Sequence, residues 1–237
     1  MSPSRPIVSR EQWTVARKAL LVKEKSFTRE RDALAAERRN LPMVKIDKAY
    51  VFEDAKGKHT LPELFEGKTQ LLVYHFMFEP GWKEGCPGCS YVSDHIDGSL
   101  AHLAQRGTAF AVVSRAPVAE IDAFKARMGW KFRWLSSAGS DFNYDFSVSF
   151  RRQDVGNEAV SVNYAGPPKD EAPVPGLSAF LSEAGQVFHT YSTYKRGLDQ
   201  LMNTYNLLDL TPLGRHEEGL AFGMAWVKHH DKYAASA

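Results

Sequence analysis

The chain has 237 residues, of which 43% are hydrophobic, 12% aromatic and 24% charged, and its formal net charge is +2. This composition is typical of a folded globular protein and excludes a disordered or fibrous one. The near-neutral charge gives no support to nucleic acid or an anionic membrane as a partner. No apolar stretch has the length of a signal peptide at the N-terminus or of a membrane span elsewhere, which predicts a cytoplasmic protein.

Residues 1–42 predict a helical arm. Ser9 and Gln12 form a capping-box pattern, and Trp13 and Leu20 then follow one side of a first helix. A second helix is expected in "FTRERDALAAERRNLP", with its proline as the stop signal. Acidic residues alternate there with arginines, as on a solvated face, which argues against nucleic-acid binding. We expect the arm to pack on the body or to join copies of the chain into a homo-oligomer.

Residues 43–215 predict strands alternating with helices. After a short strand and turn in "YVFEDAKGKHT", the runs "TQLLVYHFMF" and "AFAVVS" are apolar throughout, as in strands buried on both faces. One helix is expected between them, "VAEIDAFKARMG" predicts another, and "KFRWLSS" a further strand. This order favours βαβ units and a parallel sheet.

The rest of the chain is less regular. An irregular insertion is expected near 138–175, where Gly, Ser, Asn, Asp and Pro are frequent. The stretch "GLSAFLSEAGQVFHTYSTY" then predicts an antiparallel hairpin that turns between Glu183 and Gln186, and "GLDQLMNTYNLLDL" predicts a closing helix. Residues 216–237 carry no fold signal and are predicted as a tail.

Cys86 and Cys89, the only cysteines, lie three residues apart after the first apolar strand, at the expected start of a helix. A strand, a C-x-x-C at a helix start, a βαβ unit, a hairpin and a helix follow one another in the order of the thioredoxin fold. The predicted fold is therefore α/β, a three-layer α/β/α arrangement with a central mixed sheet behind the helical arm.

This placement suggests different roles for the two sulfurs. If the helix begins near Pro87, Cys86 lies at its N-cap, where free backbone N–H groups stabilise a thiolate. Cys89 precedes Val92 by three residues and therefore faces the core. We expect Cys86 to be the exposed nucleophile and Cys89 the shielded thiol that resolves the mixed disulfide. Trp82, Pro87 and Gly88 are the expected substrate-positioning neighbours.

Other interpretations of the cysteine pair stay open. The two cysteines can be inert, or they can supply half of a zinc site, for which the conceivable partners are His75, His95 and His102. A covalent haem is excluded because Ser90 stands where C-x-x-C-H requires histidine. No cofactor and no metal is predicted.

Several longer blocks resemble one bacterial family. "LLVYHFMFEPGWKEGCPGCSYVSDHIDGSLAHL", "FAVVSRAP", "PGLSAFL" and "VFHTYSTYKRGLDQLMNTYNLLDLTPLGR" are similar to the thioredoxin-like family of unknown function DUF899, over roughly Trp13 to Arg215. The resemblance implies a fold of the thioredoxin and peroxiredoxin-like superfamily without an established substrate. Peroxiredoxins carry a threonine three residues before the reactive cysteine. Lys83 stands there, which argues against peroxide reduction.

Four further residues are candidates for the site, two from the resemblance and two from an aromatic block of the sequence. Thioredoxin-like oxidoreductases have a cis-proline facing the cysteines, and Pro175 is the candidate, with an ordinary trans loop proline as the alternative. Arg115, at a strand end, is a candidate guanidinium near the thiolate. His189 and Tyr191 belong to an aromatic block that either lines a pocket near the thiols or packs against the arm.

The sequence thus predicts a thiol-disulfide oxidoreductase that cycles between a Cys86/Cys89 dithiol and a disulfide. Its expected partners are a disulfide-containing protein or a small thiol substrate, and an external thiol or reductase as electron donor. The alternatives are a thiol-dependent peroxidase, in which Cys86 forms a sulfenic acid, and a non-catalytic binding module.

Overall fold

The computed structural model describes residues 5–234. The chain divides into two units, one that ends at Pro42 and one that begins at Met43. The first unit is a single helix, α1 (Arg10–Arg39). The Gln12 N–H donates to Ser9 Oγ at 3.2 Å, and the Ser9 N–H donates to Gln12 Oε1 at 3.0 Å. The predicted capping box is therefore confirmed.

The expectation of two helices in this unit is wrong. Neither Gly nor Pro separates the two predicted segments, and the weaker helix formers between them bond within α1. Ser26 Oγ donates to Glu30 Oε1 at 3.0 Å, and Thr28 Oγ1 donates to the Glu24 carbonyl at 3.0 Å. Large apolar residues recur every seven positions, a spacing typical of paired helices: Trp13, Leu20, Phe27 and Leu34. Pairing of two copies through α1 stays a prediction.

The second unit is built on one eight-stranded sheet. Its strands are β1 (Val44–Lys45), β2 (Val51–Asp54), β3 (Gly57–Thr60), β4 (Gln70–His75), β5 (Thr108–Ser114), β6 (Arg133–Ser136), β7 (Gly176–Glu183) and β8 (Gln186–Tyr194). They are ordered β1-β8-β7-β4-β5-β6-β2-β3. Strands β4, β5 and β6 are parallel, and β7 is antiparallel to both β4 and β8. The order β8-β7-β4-β5 with these directions is that of the thioredoxin fold, so the predicted mixed α/β sheet is confirmed.

Helical segments cover both faces of the sheet. The α-helices are α2 (Pro87–Ser93), α3 (Leu100–Gln105), α4 (Val118–Met128), α5 (Phe142–Asp145) and α6 (Asn203–Leu208). The 3-10 helices span Pro62–Phe65, Asp97–Ser99, Arg152–Asp154, Lys195–Leu201 and His230–Lys232. One core packs α2, α4 and α6 against the sheet, and the opposite core packs the first 3-10 helix and α5 against it.

Strand β4 lies at the centre and serves both cores. Its side chains from Leu71 on are buried, as the apolar run predicts, apart from the partly buried Leu72. Because side chains alternate along a strand, Tyr74 enters the core that contains Cys89, whereas Val73 and His75 face the opposite core. We call these the thiol face and the histidine face.

Two predicted helices are interrupted. The helix after the cysteines is divided into α2, a 3-10 turn and α3, because Asp97 turns away to accept the N–H groups of Lys131 at 2.8 Å and Phe132 at 3.1 Å. The closing helix is divided into a 3-10 helix and α6.

The predicted hairpin is confirmed as β7 and β8. Positive φ angles at Ala184 (49°) and Gly185 (75°) form its two-residue turn.

The segment after Arg215, expected to be a tail without fold, is part of the second unit. Val227 is 9% exposed and His229 is 3% exposed, and Val227 joins the core of the thiol face. We call residues 217–233 the C-terminal strap. Within residues 5–234, no helix combines the length and the apolar character needed to cross a bilayer.

Candidate active site

The two cysteines lie where the chain has left β4 and enters α2. Cys86 is the N-cap and Pro87 the first residue of this helix. The Ser90 N–H donates to the Cys86 carbonyl at 2.9 Å, and the Cys86 N–H donates to the Met77 carbonyl at 3.1 Å. Proline suits the first helical position because its missing N–H would have no partner within the helix. The predicted cap position of Cys86 is confirmed.

Hydrogen bonds stabilise the thiolate of Cys86. The thiol is half-buried, and its pKa is lowered to about 6. The largest cause is a hydrogen bond from the Cys89 thiol, and the backbone N–H groups of Cys89 and Gly88 donate two more. Burial acts in the opposite direction without prevailing. At pH 7 about nine-tenths of a group with this pKa is ionised.

Cys89 is the buried partner, with 2% exposure. Burial is the largest cause that raises the pKa of this thiol well above its ordinary value, followed by its hydrogen bond to Cys86 and the charge there. Two groups act in the opposite direction: the Met77 N–H donates to Cys89 Sγ at 3.4 Å, and the Tyr74 hydroxyl, which is buried and has no hydrogen-bond partner within residues 5–234, also favours the thiolate. Since the pKa of Cys86 is lowered and that of Cys89 is raised, the pair loses its first proton from Cys86, and Cys89 remains a thiol.

A shallow pocket of about 430 Å³ opens beside Cys86. It is lined by the approach loop, the start of α2 and one strap residue, namely Trp82, Lys83, Glu84, Gly85, Cys86, Pro87 and His229. Gly88 lies on another side of the sulfur. A Cβ added there would be 3.8 Å from Cys86 Sγ and 3.5 Å from Met224 Cε. The structure thus brings the predicted positioning residues Trp82, Pro87 and Gly88 together around Cys86.

The approach loop is held tightly just before Cys86. A Cβ added to Gly85 would lie 2.5 Å from Phe76 Cε1 and 2.8 Å from Phe124 Cε1, so only glycine fits without displacement of these rings. Nε2 of His229 lies 2.8 Å from the Gly85 carbonyl oxygen. Because a carbonyl only accepts, this nitrogen carries the proton. The strap therefore fixes the residue that precedes the nucleophile.

The charge of Glu84 in the same loop is compensated. Arg127 donates to Glu84 Oε1 at 2.6 Å, and Lys232 of the strap donates to Oε2 at 2.6 Å. These hydrogen bonds, with Lys232 first, lower the pKa of the Glu84 carboxyl. This carboxylate is therefore paired with two cations, Arg127 of α4 and Lys232 of the strap.

Arg115 is paired with a carboxylate instead of the thiolate. It donates to Glu79 Oε2 at 2.9 Å, and its guanidinium carbon lies 4.8 Å from the Tyr144 ring centre. Burial is the largest influence on Glu79 and raises the pKa of its carboxyl, while Arg115 acts in the opposite direction. The guanidinium of Arg115 is thus held by Glu79, and its action on the Cys86 thiolate stays a prediction.

Pro175 lies at the sheet edge from which the cysteine loop departs, because the next residue, Gly176, pairs with His75 at the end of β4. The peptide bond before Pro175 is trans, as are all those described in residues 5–234, so the cis expectation is wrong and the loop-proline alternative holds. The Val174 N–H donates to the Val148 carbonyl at 3.0 Å. The backbone N–H group that precedes this proline is thus already paired.

The expected pocket of His189, Tyr191 and Arg115 does not form. His189 packs edge-on against Phe146 on the histidine face, with 5.2 Å between ring centres. Tyr191 lies on β8 and pairs with Ala179 of β7. Strand β7 lies between β8 and β4 in the sheet. Strand alternation and sheet order therefore separate residues that are close in sequence.

No metal cluster accompanies the cysteines. Within residues 5–234, no group of three or more His, Cys, Asp or Glu side chains is arranged to hold an ion. Nε2 of His75 lies 2.8 Å from Ser178 Oγ, and Nε2 of His95 lies 2.8 Å from Thr204 Oγ1. His102 is exposed on α3. These contacts give the zinc interpretation no support.

Sequence reasoning missed three residues that contact this site. Tyr74 lies in an apolar run, where the period-2 alternation of a strand was the only available signal for its direction. Met224 and His229 lie in the segment expected to be a tail. The apolar "AFGMAWV" before "KHH" is the one signal that could have indicated packing there.

The fold and the cysteine pair define a thioredoxin-fold protein with a dithiol at a helix N-cap. The sequence profile described as "Bacterial protein of unknown function (DUF899)" matches residues 2–233. The chain therefore belongs to the DUF899 family, as its sequence blocks predict. A search of curated proteins gave no match.

Solved structures with a similar fold include two bacterial proteins. A peroxiredoxin Q of Xanthomonas campestris is 18% identical, with a TM-score of 0.47 over 70% of this chain and 96% of that one. The peroxidoxin BcpB of Mycobacterium tuberculosis is 13% identical, with a TM-score of 0.45 over 71% of this chain and 97% of that one. At these identities no activity transfers from them to this chain.

Proposed function

We propose that this protein is a thiol-disulfide oxidoreductase in which Cys86 attacks and Cys89 resolves. One observation carries the proposal: a half-buried N-cap thiol, with its pKa lowered to about 6, accepts a hydrogen bond from the thiol of a buried second cysteine. A thiolate is the attacking species in disulfide exchange, and a neighbouring thiol is what completes the exchange within one chain.

The reaction balances with the two cysteines alone. The Cys86 thiolate attacks one sulfur of a disulfide RSSR, forms the mixed disulfide Cys86–S–S–R and expels RS⁻, which takes up a proton. The sulfur of Cys89, after losing its proton, attacks Cys86 Sγ and expels the second RS⁻. The substrate gains two electrons and two protons, and the chain keeps a Cys86–Cys89 disulfide. An external thiol or reductase returns the chain to the dithiol.

The surroundings of Cys89 change between the two steps. Its raised pKa depends partly on the hydrogen bond to Cys86 and on the negative charge there. Both disappear once Cys86 is in the mixed disulfide. The Met77 N–H and the Tyr74 hydroxyl remain, and both favour the thiolate of Cys89. The first step thereby prepares the second.

Turnover with two kinds of substrate tests the proposal. The purified protein should reduce disulfides with dithiothreitol as the external dithiol, and mild oxidation should remove two thiols per chain by forming an intramolecular disulfide. Consumption of hydroperoxide without disulfide reduction would instead establish the thiol peroxidase alternative. Neither reaction, with no intramolecular disulfide, would favour a binding module and overturn the proposal.

A further inference from the structure

The strap and the pocket beside Cys86 together indicate a class of substrate, an inference that rests on the proposed function. We infer that the chain reduces low-molecular-weight disulfides and excludes protein disulfides from Cys86. The exchange is the one given above: RSSR receives two electrons from the two cysteines, one proton from Cys89 and one proton from solvent, and an external dithiol returns the chain to the reduced form.

On the loop side of Cys86, the Gly85 carbonyl and the Cys86 N–H are already paired within the chain. A polypeptide binds beside a nucleophile by pairing its backbone with unpaired N–H and C=O groups. The Gly85 carbonyl accepts from His229 at 2.8 Å. The Cys86 N–H donates to the Met77 carbonyl at 3.1 Å. Both groups are therefore used by the chain itself.

The opposite side, next to β7, is also occupied. The Val174 N–H donates to the Val148 carbonyl at 3.0 Å, and Pro175 has no N–H to offer. The Met77 N–H is taken by Cys89 Sγ at 3.4 Å. A substrate chain would have to displace these internal bonds before it could pair with either N–H group.

The strap also forms a wall over the start of α2. Met224 Cε lies 3.5 Å from the place where Gly88 would carry a Cβ. Glu217 anchors this part of the strap, because its Oε1 accepts from the Met224 N–H at 2.9 Å, from Trp226 Nε1 at 2.7 Å and from the Tyr205 hydroxyl. Three bonds to one carboxylate oxygen thus hold the wall in place.

Further bonds fix the end of the strap. Arg127 binds both carboxylate oxygens of Asp231, at 2.7 and 2.9 Å, and His230 Nδ1 lies 2.8 Å from Asp94 Oδ1. What stays open at Cys86 is the pocket of about 430 Å³. This volume lies in the range of small-molecule sites and admits one half of a small disulfide.

The experiment compares two substrates in three forms of the full-length chain. Glutathione disulfide and insulin are supplied to the wild type, to Glu217→Ala and to the matched control Glu218→Ala, whose exposed carboxylate is adjacent in sequence. Dithiothreitol is the external dithiol, and its own background rate is subtracted. The wild type is expected to show a kcat/KM for glutathione disulfide at least about tenfold above that for insulin, which corresponds to about 1.4 kcal/mol.

Glu217→Ala should raise the kcat/KM for insulin by about tenfold and change that for glutathione disulfide by less than about twofold, while Glu218→Ala should change neither. Because Glu217→Ala can also impair folding, Met224→Ala serves as a milder second variant that leaves the carboxylate in place and should move the ratio in the same direction. Circular dichroism of each variant checks the fold.

The inference and the proposed function fail in different ways. Equal reduction of insulin and glutathione disulfide by the wild type would overturn the inference alone, as would an unchanged ratio in both strap variants. Reduction of neither substrate by the wild type would overturn the proposed function, and the inference with it.

Discussion

Tyr74 and His75 are consecutive residues of β4, yet they belong to two different kinds of buried polar site. On the thiol face, the buried Tyr74 hydroxyl favours the thiolate of Cys89, and the Cys89 thiol is hydrogen-bonded to a half-buried thiolate beside a pocket. On the histidine face, His75 bonds to Ser178 among phenylalanine rings. The difference shows that burial of polar groups alone does not make a reactive site. A reactive site also requires that a stabilised anion be accessible to a substrate.

The histidine face contains a linear series of hydrogen bonds that runs from His75 to His189. His75 Nε2 and Ser178 Oγ are 2.8 Å apart, Ser178 Oγ and Ser192 Oγ 2.7 Å, and Ser192 Oγ and His189 Nε2 2.8 Å. Burial lowers the pKa of His75 to about 3 and also lowers the pKa of His189. Both imidazoles are therefore neutral near pH 7. This series of hydrogen bonds connects side chains of β4, β7 and β8.

The largest expected effect separates the two cysteines. Cys86→Ser should reduce disulfide turnover to the uncatalysed background, a loss of at least about a thousandfold, because no nucleophile remains. Cys89→Ser should still attack once and then accumulate a mixed disulfide, visible as an added mass on the intact chain. Equal behaviour of the two variants would contradict the division of roles.

The next effect concerns the histidine face and pH. Since the folded pKa of His75 is depressed, the unfolded chain binds a proton there that the folded chain does not. The contribution of His75 is therefore complete above its unfolded pKa of about 6.5 and is lost as pH falls from there toward about 3.

Urea unfolding at a series of pH values measures this loss as a fall in the free energy of unfolding. In His75→Gln, which keeps a polar group for Ser178, the fall in this window should be smaller. An identical pH dependence in the two proteins would contradict a neutral, buried His75.

The smallest expected effect compares the two faces directly. Tyr74→Phe removes the buried hydroxyl that favours the thiolate of Cys89, and it should slow the second step of the exchange by about fivefold, equivalent to about 1 kcal/mol. Ser178→Ala is the matched control on the histidine face. It should lower the free energy of unfolding by about 1–3 kcal/mol and leave the second step unchanged. Rapid mixing with a disulfide whose thiol product absorbs light measures the step. A slower step in Ser178→Ala would mean that the faces are coupled.

The sequence predicts the framework of the fold well, because its signals are local. The apolar run of β4, the Ala184–Gly185 turn and the capping box at Ser9 each depend on neighbouring residues, and the structure confirms all three. The position of Cys86 at a helix N-cap is equally local, since Pro87 marks the first helical residue.

The parts that sequence reasoning missed depend on contacts between distant segments. His229 meets Gly85 across 144 positions, and no periodicity signals such a contact. Arg115 lies at a strand end, as expected, but its partner is Glu79, which only the folded loop brings near. One of the two alternatives for His189 placed it near the thiols, and the alternation of β8 directs it to the other face instead. Local patterns thus place elements, while the completed sheet decides which side chains meet.

The most direct test of the account is the pKa of the Cys86 thiol. The rate of alkylation by iodoacetamide, measured against pH in the wild type and in Cys89→Ala, reports the thiolate. A midpoint near pH 6 is expected in the wild type, and a higher midpoint is expected in Cys89→Ala, because the Cys89 thiol supplies the largest stabilising hydrogen bond and alanine has no donor to replace it, whereas the hydroxyl of Cys89→Ser can still donate. A wild-type midpoint near the ordinary value of about 8.5, unchanged in Cys89→Ala, would contradict the account.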